Sequence, residues 1–260
     1  MASALIGGMR ARGFEAADIT VVEPDGSARE RLQASYGVIA LAAPNADVLD
    51  SDVLVLAVKP QQMKAALLPF VGALRKTLVI SVAAGLRLVD IGRWLGNAAR
   101  LVRCMPNTPA LIGAGVTGMF AAPGVDAAER EIAERILAAV GSIVWVDDEA
   151  RLDAVTGISG SGPAYVFHFI EALETAGMNQ GFDAASARRL AIDTVLGAAR
   201  LAEASKDSPS TLREKVTSKG GTTAAALAHL AAVGWHDALI GAVEAASARS
   251  RELGEQLGQN

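Results

Sequence analysis

A single cysteine, Cys104, occurs in the 260 residues, so no intrachain disulfide can form and a reducing compartment is the expected setting. Histidine is almost as scarce. His168, His229 and His236 are widely spaced, and no Cys, His, Asp or Glu cluster has metal-ligand spacing, which predicts no metal. Neither sign of charge dominates: 24 basic and 28 acidic residues are well mixed and leave a net charge of -4. That balance offers no footprint for a nucleic acid or an anionic membrane. No apolar run of roughly 18 residues is free of charge, Gly or Pro, and the opening MASALIGGM lacks the basic start and the length of a secretory signal. A cytoplasmic protein is expected. Aromatic residues are only 4% of the chain, so its core must rest on Ala, Gly, Val and Leu, which suits short parallel strands packed closely on helices.

What is present alternates between two textures. Residues 2–12 read as a helix ending at Gly13, and Ile19–Val22 as a strand closed by Glu23-Pro24-Asp25-Gly26, with a helix over 27–35. Residues 52–58 (DVLVLAV) and 77–82 (TLVISV) are continuous apolar runs of the kind buried on both faces of a sheet. A helix near 88–95, a strand at 100–104, an amphipathic helix over 126–140 and a last strand at 142–147 follow. This pattern predicts an α/β, Rossmann-type, mostly parallel sheet with ligands at the carboxyl ends of its strands. After Asp148 only helical stretches remain, near 149–157, 163–177, 184–203, 209–217, 222–232 and 235–254. The expected division is therefore 1–148 and 149–260, the second all-helical. Its Ala-rich faces expose more apolar surface than a thin helical layer can cover alone, which predicts at least a homodimer.

Two constellations bear on chemistry. Ser218-Lys219-Gly220-Gly221-Thr222-Thr223 leads directly into the helical run AAALAHL. The first N–H groups of a helix lack internal partners and carry the positive end of its dipole, so a small carboxylate can bind there. An ordinary Gly turn with a Thr cap has the same residues. The second constellation comprises Ala57-Val58-Lys59-Pro60, Val82-Ala83-Ala84-Gly85 and Met105-Pro106-Asn107-Thr108-Pro109, at the ends of successive strands. Small residues and rigid prolines there leave room for a flat ring, and Asn107 and Thr108 can hydrogen-bond a carboxamide or ribose; loops that merely turn are the alternative.

The order AVKP, AAG, MPNTP, SGSGPAY, then Pro209 through VTSKGGTT to Leu227, then RSRELG, resembles the pyrroline-5-carboxylate reductase family over essentially the whole chain. The resemblance implies a dinucleotide-binding domain for NADPH or NADH over 1–148, a helical substrate and dimerisation domain over 149–260, and reduction of 1-pyrroline-5-carboxylate to proline. It implies homodimers and further assembly into a pentamer of dimers. By the same resemblance Ser218, Gly220, Gly221, Thr222 and Thr223 bind substrate, the Thr223 hydroxyl faces the ring nitrogen as the catalytic contact, and Glu149 is a substrate-site acid. Glu23, Asp25, Asn45, Ala57, Val58, Lys59, Pro60, Val82, Ala83, Ala84 and Asn107 match cofactor positions.

Members of that family begin with a short strand and a Gly-rich turn close to IGGGNMA that runs into ASALIGG. Here Met1 stands where the Met of that turn should be, so the sequence is expected to start at an internal Met, with the strand and its phosphate-binding glycines upstream; the alternative is a protein that lacks the strand. Gly7 and Gly8 fall too far along to replace them. Lys219 occupies the place of a common proline, and Glu23 suits NAD while Arg29 and Arg31 suit NADP, which leaves the choice between NADPH and NADH open. The rival readings are another small-substrate imine or 3-hydroxyacid dehydrogenase, using Lys206, Lys215 or Lys219, and a non-catalytic oligomerisation protein with a defective cofactor site.

Overall fold

A computed structural model describes residues 1–74, 76–97 and 100–258. The chain divides into two compact units, one formed by Met1–Ser161 with the end of the chain from Glu244, the other by Gly162–Val243. The last strand ends at Trp145, two residues before the expected bound, and packing keeps Arg151–Val155 and the last turns of the final helix with the first unit. Residues 259 and 260 of the expected second domain lie outside the described residues.

In the first unit the elements run α1 (Ala2–Ala11), β1 (Thr20–Val22), α2 (Gly26–Tyr36), β2 (Ile39–Leu41), α3 (Ala46–Leu49), β3 (Val53–Leu56), α4 (Met63–Leu67), β4 (Leu78–Ser81), α5 (Leu88–Trp94), β5 (Leu101–Met105), β6 (Gly115–Ala121), α6 (Ala127–Leu137), β7 (Gly141–Trp145) and α7 (Arg151–Val155). Strands β3, β4 and β5 pair in parallel, with Val55 opposite Ile80 and Ile80 opposite Val102. Strand β6 runs antiparallel to β5, and β7 parallel to β6. A separate parallel pair joins β1 to β2.

Side chains of a strand alternate between faces, and every residue of β4 is buried. Leu78 and Ile80 enter one core with Ala4, Leu5 and Met9 of α1 and Ala133, Ile136 and Leu137 of α6. Val79 enters a second core with Met63 and Leu67 of α4 and Ile91 of α5. The continuous apolar runs thus arise because helices cover both faces. The small sheet is built into the same two cores: Ile19 packs on the first, and Val22 and Leu41 on the second. Even so, among the described residues β1 pairs only with β2 and β3 only with β4, so each keeps one edge without a strand partner.

Two strands were not anticipated from sequence. β2 has three residues and no buried one, which is too short and too exposed to stand out. β6 carries Gly115 and Gly118, which read as loop. Here they serve close packing, since a β-carbon at Gly118 would lie 2.6 Å from Val155 Cγ1 and one at Gly115 would lie 2.9 Å from the Val140 carbonyl oxygen.

The second unit holds α8 (Gly162–Asn179), α9 (Ala184–Ala204), α10 (Pro209–Lys215), α11 (Thr222–Ala232) and the first turns of α12 (Trp235–Gly258). Gly177 and Ala187 let α8 and α9 approach closely, a β-carbon at Gly177 standing 3.0 Å from that of Ala187. Asp183 caps α9 by accepting from the Ser186 N–H, and Ser208 caps α10 ahead of Pro209. Gly234, at φ 69°, separates α11 from α12.

Candidate active site

Because β3, β4 and β5 are adjacent and parallel, the segments that follow their last residues come together at one sheet edge. They carry Ala57, Val58, Lys59 and Pro60 after β3, Val82, Ala83 and Ala84 after β4, and Asn107 after β5. Val82 N–H still donates to the Leu56 carbonyl at 3.1 Å, and Ala83 is buried. Gly85 then turns the chain at φ 81°, a backbone state that favours glycine. Ala57, Ala83, Ala84 and Gly85 are small, so a flat ring can approach the backbone at these positions.

Asn107 is committed to the fold. Its Oδ1 accepts from the Val116 N–H at 3.0 Å and its Nδ2 donates to the Ser159 carbonyl at 3.1 Å. It therefore fastens the end of β5 to β6 and to the π turn Thr156–Gly160, leaving one amide hydrogen for a ligand.

At the end of β1, the Glu23 N–H extends the ladder to the Leu41 carbonyl at 2.9 Å, and Glu23 Oε1 accepts from the Asp25 N–H at 2.9 Å. Asp25 caps α2 through the Ala28 N–H, and Asn45 caps α3 through the Val48 N–H. Arg29 Nη1 folds back onto the Glu23 and Pro24 carbonyls at 2.7 Å each. Asp25 and Asn45 thus act first as helix caps, while Glu23 stands at the carboxyl end of its strand, where a ribose-binding acid would stand.

Glu149 belongs to the first unit, and its carboxylate is occupied there. Oε1 accepts from the Leu88 N–H at 2.8 Å and from Arg103 Nη1 at 3.1 Å. Arg103 also faces Asp153, whose Oδ1 accepts from the buried Ser250 hydroxyl at 2.7 Å. Sequence reasoning missed Arg103, Asp153 and Ser250; the one signal was an arginine inside the apolar strand LVRCM.

In the second unit, Gly220 adopts φ 74°, the Gly221 N–H donates to the Ser218 carbonyl at 3.0 Å, and α11 begins at Thr222. A β-carbon at Gly221 would lie 2.4 Å from Ser218 Oγ, a side chain that can rotate aside, so the position that favours glycine is Gly220 with its positive φ. Gly221 is the N-cap and no side chain caps this helix. Its first amides, at Thr222, Thr223 and Ala224, are those that a helix leaves without internal partners, and Thr223 is half-buried. Lys215 is paired with Asp207.

Cys104 is buried in the first core, and burial pushes its thiol well above the ordinary range, so it fills space rather than acting as a nucleophile. Among the described residues no three His, Cys, Asp or Glu gather as metal ligands, and no single helix is long and apolar enough to cross a membrane.

Comparison with known proteins bears on both units. Residues 149–253 match the family described as pyrroline-5-carboxylate reductase dimerisation, and residues 1–85 match that described as NADP oxidoreductase, coenzyme F420-dependent. The chain is 45% identical to a pyrroline-5-carboxylate reductase of Pseudomonas aeruginosa, over 100% of this chain and 95% of that one. The solved structure of a pyrroline-5-carboxylate reductase from Coxiella burnetii superposes with a TM-score of 0.92 at 39% identity, covering 97% of this chain and 94% of that one. A Plasmodium falciparum pyrroline carboxylate reductase with NADP bound gives 0.85 at 28% identity, with the same shares covered. The α/β sheet with its strand-end loops, the helical unit with its uncapped Gly-Gly-Thr-Thr turn and these full-length likenesses agree: the chain belongs to the pyrroline-5-carboxylate reductase family.

Proposed function

We propose that this protein reduces 1-pyrroline-5-carboxylate to proline with a hydride from NADPH or NADH. The observation that carries the reading is the Gly220-Gly221-Thr222-Thr223 turn at the uncapped start of α11, in a chain 45% identical over its whole length to a reductase of that name.

The substrate is a cyclic imine with a carboxylate. The amides of Thr222 and Thr223, at the positive end of α11, bind the carboxylate without a basic side chain. The Thr223 hydroxyl hydrogen-bonds the ring nitrogen and holds the protonated imine in the orientation for attack. An iminium already accepts hydride readily, so orientation and exclusion of water take the place of a strong general base. The small residues Ala57, Ala83 and Ala84, with Val58, Lys59, Pro60, Val82 and Asn107, fit the nicotinamide end of the cofactor, and Glu23 with Asp25 and Asn45 fits the adenosine end. When bound, the cofactor supplies the hydride.

Family membership supports a dimer built on the second unit, further assembly into a pentamer of dimers, and a cytoplasmic setting in which the lone Cys104 stays reduced. The test is direct: the purified chain, given pyrroline-5-carboxylate and NADPH or NADH, should oxidise the cofactor and form proline in equal amounts. Cofactor bound without turnover of this imine would overturn the reading.

A further inference from the structure

The first unit encloses an ionic cluster centred on Arg103, a residue that no proposed substrate or cofactor contact includes. Arg103 is the only charged residue of β5, and only 4% of it is exposed. Its guanidinium stands 3.1 Å from Glu149 Oε1 and 3.8 Å from Asp153 Oδ1. Glu149 Oε1 also takes the Leu88 N–H at the start of α5, three residues after the Gly85 turn. Asp153 takes the hydroxyl of Ser250, which comes from α12, 97 residues further along the chain.

One turn beyond Ser250 on the same helix, Gly254 is also buried, and a β-carbon there would lie 2.6 Å from the Gly85 carbonyl oxygen. α12 therefore lies directly against the turn that follows β4. The cluster joins β5, α5, α7 and α12 behind two backbone segments, Val82–Leu88 and Met105–Asn107, that the cofactor reading uses.

Burying a guanidinium with two carboxylates is costly, and an apolar cluster of equal volume would hold the fold as well or better. What charge adds is direction. A guanidinium fork and its carboxylates fix distances and angles that apolar packing leaves free. The stretch Ala83-Ala84-Gly85 has no side chain that can hydrogen-bond to fix its own geometry, so that geometry has to be imposed from behind.

We propose that Arg103 is a positioning residue: through Glu149, and through Asp153 with Ser250, it sets the turn after β4 and the end of β5 in the shape that seats the nicotinamide, without touching cofactor or substrate. The cofactor part of this inference rests on the function proposed above.

The test compares the full chain with Arg103→Met, Arg103→Lys, Glu149→Gln and Ser250→Ala, first without cofactor. Amide hydrogen exchange within 82–88 and 105–108 should rise about 10-fold in Arg103→Met and Glu149→Gln, the loss expected for a charge-assisted hydrogen bond, with α6 unchanged. Arg103→Lys should restore part of the protection. Ser250→Ala, which keeps the ion pairs and is the milder change if Arg103→Met fails to fold, should give a smaller rise in the same two segments. The Kd for NADPH, read from nicotinamide fluorescence, should rise about 10-fold in Arg103→Met and less in Ser250→Ala, while the KM for the imine moves less than about 2-fold in both. A rise confined to Leu88, a rise spread evenly over the unit, or equal losses for cofactor and imine would overturn the proposal. If the exchange pattern holds but the wild-type chain does not reduce pyrroline-5-carboxylate, the reaction assignment fails and the role of Arg103 stands.

Discussion

Gly8 of α1 abuts Ala139 so closely that a β-carbon on Gly8 would stand 2.5 Å from the Ala139 carbonyl oxygen and 2.7 Å from Val140 Cγ1. The backbone on that side cannot give way as a flexible side chain can, so Gly8→Ala should destabilise the chain by about 1–3 kcal/mol. The neighbouring Gly7 faces only the edge of the Tyr36 ring, at 3.1 Å. Gly7→Ala should cost less than about 1 kcal/mol, because the gain in helix propensity offsets a small shift of the ring. Urea unfolding of the two variants measures the difference; equal effects would show that α1 does not sit as described. The paired glycines are thus helix-packing residues, in keeping with their place inside α1 rather than in a phosphate turn.

Thr223 carries the chemical weight of the proposed mechanism, and its contribution should appear in turnover rather than in folding. Loss of a hydroxyl that hydrogen-bonds a charged nitrogen costs about 1.5–3 kcal/mol, so Thr223→Ala should lower kcat/KM about 10- to 100-fold. Thr223→Ser keeps the oxygen and should recover most of it. Steady-state kinetics with an unchanged melting temperature make the comparison; a Thr223→Ala enzyme with wild-type kinetics would remove the hydroxyl from the mechanism.

That turn was legible in the sequence because its parts are contiguous: two glycines, two threonines and an apolar helix within one short stretch. The long buried runs of β3, β4 and β5 were legible for a similar reason, each being a local pattern imposed by helices on both faces. What escaped notice is distributed or disguised. Arg103, Glu149, Asp153 and Ser250 meet only after the chain has folded, and Gly115 and Gly118 look like loop residues until β6 is seen packing against Val140 and Val155. Asp25 and Asn45 could be matched to cofactor positions, but their capping of α2 and α3 depends on where each helix begins.

Asp183 gives a pH signature in the helical unit. It accepts from the Ser186 N–H and from the Ser186 hydroxyl, and these bonds hold its carboxyl below the ordinary value of 3.8. A lowered folded pKa means that the stabilisation is fully present above the unfolded pKa and is lost as pH falls through the folded one. Asp183→Ala should therefore lower the melting temperature near neutral pH, and the gap to wild type should close as pH falls below about 4. Asp183→Asn, which keeps the capping oxygen, should show a smaller and pH-independent change. A gap that persists in acid would show that the cap does not depend on charge.

The helical unit also leaves many apolar side chains open, among them Phe167 at 64%, Leu201 at 56% and Val233 at 62% exposed. Solvated apolar area on this scale in one unit indicates a surface that a partner covers. Phe167→Glu or Leu201→Glu should turn a dimer into a monomer at micromolar concentration, measured by sedimentation velocity, without loss of helical signal. A dimer that survives both changes would place its interface elsewhere.

The unpaired edges of β1 and β3 set the last expectation. Val53 and Val55 of β3 pack on the same core as Ile19, and Leu54 and Leu56 on the same core as Val22 and Leu41, so both strands already lie between the same two helical layers. Among the described residues each nonetheless pairs with one neighbouring strand only, and an open parallel edge beside a built core is a poor place for unpaired N–H and C=O groups. A short β-branched strand with a glycine turn, fused ahead of Met1 so that it leads into α1, is expected to pair with one or both of these edges. The same turn would bring a phosphate to the start of α1, where no side chain caps the helix. The fusion is therefore expected to raise the melting temperature and to tighten NADPH binding about 10-fold or more, the two effects arising from different groups. Calorimetry on the chain with and without the added segment measures both. An extended chain that melts and binds as before would mean that β1 and β3 do not leave room for a strand.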